Sequence, residues 1–376
     1  MARGTIFEKT VDHFLEPIQA FMDDPTVSEV MINGPREIFV ERAGQLVKTD
    51  AKFDDEEALL AAVRNVLQYT GKRLTEERPL IDSRLPDGSR VHVVLPPLCR
   101  TGICVSIRKF AKAMFRAEHL IELGSWTAEA MEYLRICVLA EKNILVAGGT
   151  SSGKTCLLNV LSSFLTPHQR VVVIEDSAEL ELQQNHVISL ETRPADRWGR
   201  GRVTISDLFQ SALRLRPDRI IIGEVRGGEA LDMIQAMTSG HAGSMSTMHA
   251  NVAMDALNRL ETLAMSSGVE LPLHALRAQV ASAIDVIVLT TRFNDGRRAL
   301  TQICEILPLG DDGRYRLQEM FVYELAEGAE GKAGKGSLVW AGKASSFAGE
   351  PKVSVLRDLW ALTGKIFDAA GPKRQR

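Results

Sequence analysis

Gly148-Gly149-Thr150-Ser151-Ser152-Gly153-Lys154-Thr155 lies between two apolar segments of different character. Before it, Asn143-Ile144-Leu145-Val146-Ala147 runs as a buried strand. After it, Cys156-Leu157-Leu158-Asn159-Val160-Leu161 carries apolar residues at helical spacing. Strand, glycine loop and helix in that order fit G-x-x-x-x-G-K-[ST], the phosphate-binding loop. Glycines let successive N–H groups face one anion. The free N–H groups at the helix start favour phosphate as well. Lys154 is placed to reach the β- and γ-phosphates of a nucleotide, and the Thr155 hydroxyl to hold Mg²⁺. A Gly/Ser turn that merely carries a lysine is the plain alternative. The strand before and the helix after argue against it. Gly148 to Cys156 is thus the expected nucleotide cradle, with ATP and Mg²⁺ as cofactors.

The 376 residues leave room for two domains and a large core. The balance of 45 Lys+Arg against 48 Asp+Glu gives a net charge of −3, which argues against a dedicated nucleic-acid binder. No stable nucleic-acid partner is expected. Cys99, Cys104, Cys137, Cys156 and Cys304 form no dense framework and read as reduced cytosolic thiols. Cys99 and Cys104 resemble half of a metal site, but no second cysteine pair follows. No apolar run approaches the roughly 20 residues of a membrane span. The first residues lack the apolar core of a signal sequence. A cytoplasmic protein is expected, with membrane contact peripheral or through a partner.

Along the chain, residues 1–110 read as a small α+β domain with a meander-like sheet: a helix over 5–24, strands near 27–32, 38–42 and 45–47, a helix over 54–69, then a β pair at 91–95 and 103–108. Residues 111–125 carry charge and read as a linker. Residues 126–324 alternate strands (143–147, 171–175, 219–223, 244–248, 285–289, 301–306) with helices (154–165, 206–215, 228–238, 253–266, 273–282). That alternation, with a phosphate loop after the first strand, predicts an α/β fold with a mostly parallel sheet flanked by helices. Residues 325–350, rich in Gly, Ala, Lys and Ser, read as a flexible connector. Helical spacing returns over 353–367, so residues 351–376 are expected to be a helix and a basic tail.

Two further strands end in acids. Val171-Val172-Val173-Ile174-Glu175-Asp176 offers Glu175 to orient or deprotonate a water and Asp176 to hold a metal-bound water. Arg219-Ile220-Ile221-Ile222-Gly223-Glu224 offers Glu224 toward Mg²⁺, which requires oxygen ligands. Solvated strand-end charges are the plain reading of each. His241 and His249 flank a short strand, eight residues apart, so they are not a helical zinc pair. A histidine there can sense a phosphate. Arg84, Arg90 and Arg108 recur on turns and strand edges and are candidates to stabilise phosphate charge.

With these residues in place, the chain resembles the secretion ATPases of type II and type IV systems from about residue 25 to 325. Gly148 to Thr155, Ile174-Glu175-Asp176, Ile222-Gly223-Glu224-Val225-Arg226-Gly227, and Gly240-His241 through Met248-His249-Ala250-Asn251 look like that family's Walker A, Asp box, Walker B and His box. Arg84-Leu85-Pro86-Asp87-Gly88-Ser89-Arg90-Val91, Ser106-Ile107-Arg108-Lys109 and Leu190-Glu191-Thr192-Arg193-Pro194 look most like the tight-adherence (Tad) pilus motors, with conjugation ATPases the nearest relatives. The resemblance implies a RecA-like P-loop ATPase domain preceded by a PAS-like N-terminal domain, in a hexameric homo-oligomer on the cytoplasmic side of the inner membrane, driving pilus assembly or protein secretion through membrane platform proteins. It implies that Lys154 and Thr155 hold phosphate and Mg²⁺. Glu224 would support the metal, and Glu175 or Glu224 would act as general base. His241 and His249 would couple phosphate state to subunit contacts, and Arg84, Arg90 and Arg108 would bring the first domain onto the nucleotide. Ser151 stands where many relatives carry glycine, the four-cysteine zinc insert of some relatives is absent, and the N-terminal extension of the Tad motors is short. Two rivals remain: a RecA-like DNA translocase or conjugative DNA-transfer ATPase, and a non-hydrolysing nucleotide-gated scaffold.

Overall fold

Alternating and continuous apolar runs build two different sheets in the computed structural model, which describes residues 10–11, 13–42, 44–73, 79–109, 116–196, 198–325 and 336–368. The chain divides into two compact units, Met1–Ala113 and Met114–Arg376.

In the first unit, strands β1 (Val27–Asn33), β2 (Ile38–Arg42), β3 (Gln45–Lys48), β4 (Leu80–Arg84), β5 (Arg90–Val94) and β6 (Cys104–Arg108) pair in the order β3-β2-β1-β6-β5-β4. All neighbours are antiparallel, so two three-stranded meanders meet at β1 and β6. Alternation puts Val30, Ile32, Val91, Val93 and Ile107 on one buried face. Helix α2 (Glu56–Tyr69) covers that face with Leu59, Val63 and Val66, and its start is capped by Asp55, which accepts from the Ala58 N–H at 2.8 Å. Helix α1 spans only Glu16–Asp23, with Pro17 in its first turn. A proline suits a helix start and breaks a helix interior, so the single helix expected over 5–24 is interrupted there. Residues 1–9 and 12 of that expectation lie outside the described residues.

In the second unit nine strands pair: β7 (Ile144–Gly148), β8 (Val171–Glu175), β9 (Val187–Glu191), β10 (Arg219–Ile222), β11 (Met245–Met248), β12 (Val286–Arg292), β13 (Arg298–Leu307), β14 (Arg316–Leu325) and β15 (Gly336–Trp340). Their order is β15-β14-β13-β12-β7-β11-β10-β8-β9, parallel from β12 to β9 and antiparallel from β12 to β15. Every residue of β7, β8, β10 and β11 is buried, as expected for parallel strands covered on both faces. Helices α3 (Ala117–Glu122), α4 (Ala128–Leu139) and α5 (Lys154–Ser162) pack on one face. Helices α6 (Ile205–Ala212), α7 (Glu229–Thr238), α8 (Ala253–Met265) and α9 (Leu273–Ala283) pack on the other.

Three boundary expectations need correction. Residues 111–115 of the expected linker lie outside the described residues, but 117–125 belong to the second unit. Ala117 and Leu120 are buried there, and Trp126 Nε1 donates to Ala117 O at 3.0 Å. Glu118 and Glu122 take exposed positions of that helix, and Arg116 precedes it. The expected connector is likewise structured past residue 335: β15 pairs with β14, and Ser345, Ser346 and Phe347 are buried. Its anchor is Glu305, fully buried on β13, whose carboxylate accepts from Tyr133 Oη at 2.7 Å, Ser345 Oγ at 2.5 Å and Ser346 N at 2.6 Å. Burial pushes Glu305 above the usual carboxylate range despite those bonds. Residues 326–335 and 369–376 lie outside the described residues. Finally, 353–367 is a set of short turns, Pro351–Ser354, Arg357–Leu359 and Gly364–Phe367, in place of one helix. Glu132 accepts from Leu362 N and Thr363 N and holds the break, while Phe367 stacks on Tyr133 in the core of its own unit.

Candidate active site

The glycine loop leaves β7 at its carboxyl end and enters α5, at the sheet edge where open α/β folds bind ligands. A side chain at Gly148 would place its Cβ 2.3 Å from Thr290 O and 2.5 Å from Ser152 Oγ, so only glycine fits. Ser151 holds a φ of +56°, a left-handed conformation costing a non-glycine residue about 1–2 kcal/mol. This is the position where the resemblance pointed to a missing glycine. The loop is pinned from outside: Arg298 Nε donates to Ser151 O, and Thr290 Oγ1 to Ser152 O, each at 2.8 Å. Lys154 Nζ donates to Gly148 O at 3.1 Å and Gly149 O at 2.8 Å. Thr155 Oγ1 donates to Glu179 Oε2 at 3.3 Å.

Because β7, β11, β10 and β8 are sheet neighbours, their carboxyl ends bring distant residues together. His249, just past β11, has Nδ1 3.4 Å from Lys154 Nζ and Nε2 2.9 Å from Glu224 Oε1. Arg226 Nη2 donates to Glu224 Oε2 at 2.6 Å, and Arg226 Nη1 lies 3.9 Å from Asp176 Oδ2. Thr192 Oγ1 donates to Asp176 Oδ1 at 2.8 Å. Charges thus alternate in sign along Lys154, Glu224, Arg226 and Asp176, with an imidazole between the first two. Burial, and then the Lys154 charge, hold His249 below its ordinary value against the opposing pull of Glu224. The imidazole is therefore neutral near pH 7. The bond to Glu224 raises the Arg226 guanidinium further.

Glu175 is buried and spends Oε1 on the backbone, accepting from Glu179 N at 2.9 Å and Leu180 N at 3.1 Å. It lies against Gly223, where a Cβ would meet Glu175 Cγ at 2.8 Å. Glu175 thus shapes the turn after β8, while Glu224 sits in the charged run with Lys154. Asp176 joins that run through Arg226. Cys156 lies behind the loop, its thiol pushed up to about 11 by burial, with Arg298 opposing.

His241 is not brought to this edge within the chain. It precedes β11, whose four residues place about 13 Å between its ends. Its neighbours there are at the amino edge, where Ser244 Oγ donates to His241 O at 2.8 Å and Ser244 N to Asn143 Oδ1 at 3.0 Å. Arg84, Arg90 and Arg108 belong to the first unit. The register pairs Arg84 with Arg90 and Arg90 with Arg108, so the three form one row across β4, β5 and β6. The positions beside them, Ser83, Val91 and Ile107, face the buried side. Like charges laid directly opposite each other cost stability unless other groups offset them.

Sequence reading gave no role to Glu179, Arg226, Thr290 or Arg298. Arg226 was within reach, two residues after Glu224. Thr290 and Arg298 come from strands more than 130 residues beyond the loop, with no local signal.

The site fits a nucleotide and Mg²⁺. Ser152 Oγ is buried with no hydrogen-bond partner, and the glycine cradle would be filled by a single added Cβ. The nearby oxygens of Thr155, Asp176 and Glu224 are hard donors. Among the described residues no group of three His, Cys, Asp or Glu could hold a metal, which suits an ion shared with phosphate. Bound ATP would supply the scissile phosphoanhydride. Lys154 would hold its charge, and Glu224 would orient or take a proton from water.

The family model described as "Type II/IV secretion system protein" matches residues 12–328. The chain is 34% identical to the type IV secretion system protein PtlH of Bordetella pertussis over 325 residues, covering 80% of this chain and 95% of that one. It is 33% identical to the conjugal transfer protein TrbB of Rhizobium radiobacter over 299 residues, covering 78% and 88%. The X-ray structure of the Yersinia pseudotuberculosis ATPase DotB shares the fold, with a TM-score of 0.56 at 19% identity over 81% of this chain and 79% of that one. The chain therefore belongs to the type II/IV secretion system protein family, as an ATP-hydrolysing member with a RecA-like domain behind a small α+β domain.

Proposed function

We propose that the protein is a Mg²⁺-dependent ATPase that works as a hexameric ring, driving pilus assembly or protein secretion through inner-membrane platform proteins. One observation supports this reading above the others: Lys154, His249, Glu224 and Arg226 meet in one unbroken run at the mouth of the glycine loop. Lys154 and the loop hold the phosphates, and Thr155, Asp176 and Glu224 offer oxygens to the metal. Glu224 is the general base, in preference to Glu175, because Glu175 already serves the backbone. His249 reports phosphate state to Glu224. The arginine row of the first unit closes on nucleotide in the ring, and His241 faces a subunit contact. Among the described residues no helix is long and apolar enough to cross a membrane, so docking runs through partners from the cytoplasmic side. The Tad pilus branch is the proposed system.

The test is steady-state Mg-ATP turnover with and without DNA, beside sedimentation velocity at the same concentration. A sixfold mass and DNA-independent turnover are expected. Strong DNA stimulation with steep salt dependence would move the protein to the DNA-motor reading. Background turnover by the assembled ring would make it a scaffold.

A further inference from the structure

The five free cysteines fall into two groups. Cys137, Cys156 and Cys304 are in or against the core of the second unit, where burial pushes their thiols up, Cys304 to about 12. Cys99 and Cys104 lie in the first unit, both part-exposed, with their Sγ atoms 3.0 Å apart. That is about 1 Å longer than a disulfide bond.

The fold builds this approach. Cys104 opens β6 and pairs with Val94 at the end of β5. The turn between them reverses at Gly102, whose φ of +100° excludes most side chains. Thr101 Oγ1 lies 3.0 Å from Cys99 Sγ and 3.6 Å from Cys104 Sγ, so one hydroxyl serves both sulfurs. The hydrogen bonds from the Cys104 thiol and from Thr101 hold Cys99 below the ordinary thiol value, while burial pushes Cys104 above it. One thiol is thereby readied as nucleophile and the other kept in reserve. A zinc ion needs four ligands, and among the described residues no group of three His, Cys, Asp or Glu stands here.

We propose that Cys99 and Cys104 are a redox-active dithiol that closes reversibly into a disulfide, with low-molecular-weight disulfides as the oxidant. The Cys99 thiolate attacks one sulfur of the small disulfide. That S–S bond breaks, a mixed disulfide forms on Cys99, and the first small thiolate leaves and takes up a proton. Cys104 then loses its proton and attacks the Cys99 sulfur, and the second small thiolate leaves and is protonated. The two protein thiols give up two electrons, and the small disulfide becomes two thiols. Excess small thiol runs the exchange backward. The closed bond staples the turn of the β5–β6 hairpin, whose opposite end carries the Arg90–Arg108 pair.

The full-length protein is equilibrated in buffers of oxidised and reduced glutathione, quenched in acid, unfolded and alkylated, and its intact mass is read. Wild type should pass from five alkylated thiols to three as the buffer becomes oxidising. Peptide mapping should show the Cys99–Cys104 link, and reduced glutathione should reverse it. Cys99→Ser should keep all four of its remaining thiols, and Cys104→Ser should stop with glutathione attached at Cys99. Five alkylated thiols throughout would overturn the proposal. So would a bond to Cys137, Cys156 or Cys304, or a wild type that only accumulates glutathione adducts.

Discussion

At the amino edge of the nine-stranded sheet, Asn143 Nδ2 donates to Ala283 O at 2.7 Å, Asn143 Oδ1 accepts from Ser244 N at 3.0 Å, and Asp285 accepts from Asn143 N at 2.9 Å. Arg219 donates to Val138 O and Ala242 O, and the buried Lys142 pairs with Glu350 at 2.6 Å. At the carboxyl edge of the same strands, Ser152 Oγ is buried without a hydrogen-bond partner, Ser151 is in a strained conformation, and Lys154 rests on loop carbonyls. Both edges bury polar groups. At one edge these bonds tie strand to strand, and the C-terminal segment to the sheet. At the other, charged side chains face one another around a strained glycine loop. A buried polar atom without a partner costs about 1–3 kcal/mol, so the orphaned Ser152 Oγ inside that loop fits a site that a ligand completes.

Substitutions should separate the two edges. Lys154→Ala should cut Mg-ATP turnover by about 100- to 1,000-fold, the scale of removing one preorganised charge from a developing anion, with little change in melting temperature. Equal losses of turnover and stability would erase the distinction. Asn143→Ala should do the reverse. It strands Ala283 O and Ser244 N, costing about 1–3 kcal/mol of stability, while turnover per folded molecule stays near wild type. Calorimetry and turnover on the same sample decide it.

The histidines at the two ends of β11 give a finer version of the comparison. His249→Gln should lower turnover about tenfold, the scale of one charge-assisted contact. In wild type, turnover should also fall in acid as His249 gains a proton beside Lys154. The sign for stability is the same: the folded state holds this imidazole below its ordinary value near 6.5, so its contribution is present above that pH and is lost as pH falls toward the folded value. A pH–rate profile unchanged in His249→Gln would break the assignment. His241→Ala should change turnover of the unassembled chain by less than about twofold, as for a substitution away from a site. A larger fall would place His241 with the other edge.

The carboxyl edge was the more legible one in the sequence. β7, β8 and β10 are short, mostly apolar runs ending in or followed by a glycine or an acid, as burial on both faces favours. Three other strands were not. β9 buries none of its residues fully, β14 mixes buried and exposed residues irregularly, and β15 follows a run of Gly, Ala and Lys. Composition outweighed the short Leu338-Val339-Trp340 run, although pairing with β14 was enough to order it. The C-terminal apolar residues showed helical spacing without sharing one helix: they lie on separate short turns, with Phe367 stacked on Tyr133 and Trp360 on Phe367. At the site, residue types within the motifs were readable. The contacts from Arg298, Thr290 and Glu179 were not, since they depend on sheet order and turn geometry that no local pattern encodes.

The central claim is that Glu224 completes a working site assembled from separate strand ends. Single-turnover hydrolysis by Glu224→Gln, with nucleotide affinity measured on the same preparation, tests it most directly. The account predicts affinity within about threefold of wild type and a rate lower by about 100-fold, the scale of a lost general base. Hydrolysis at the wild-type rate would contradict it.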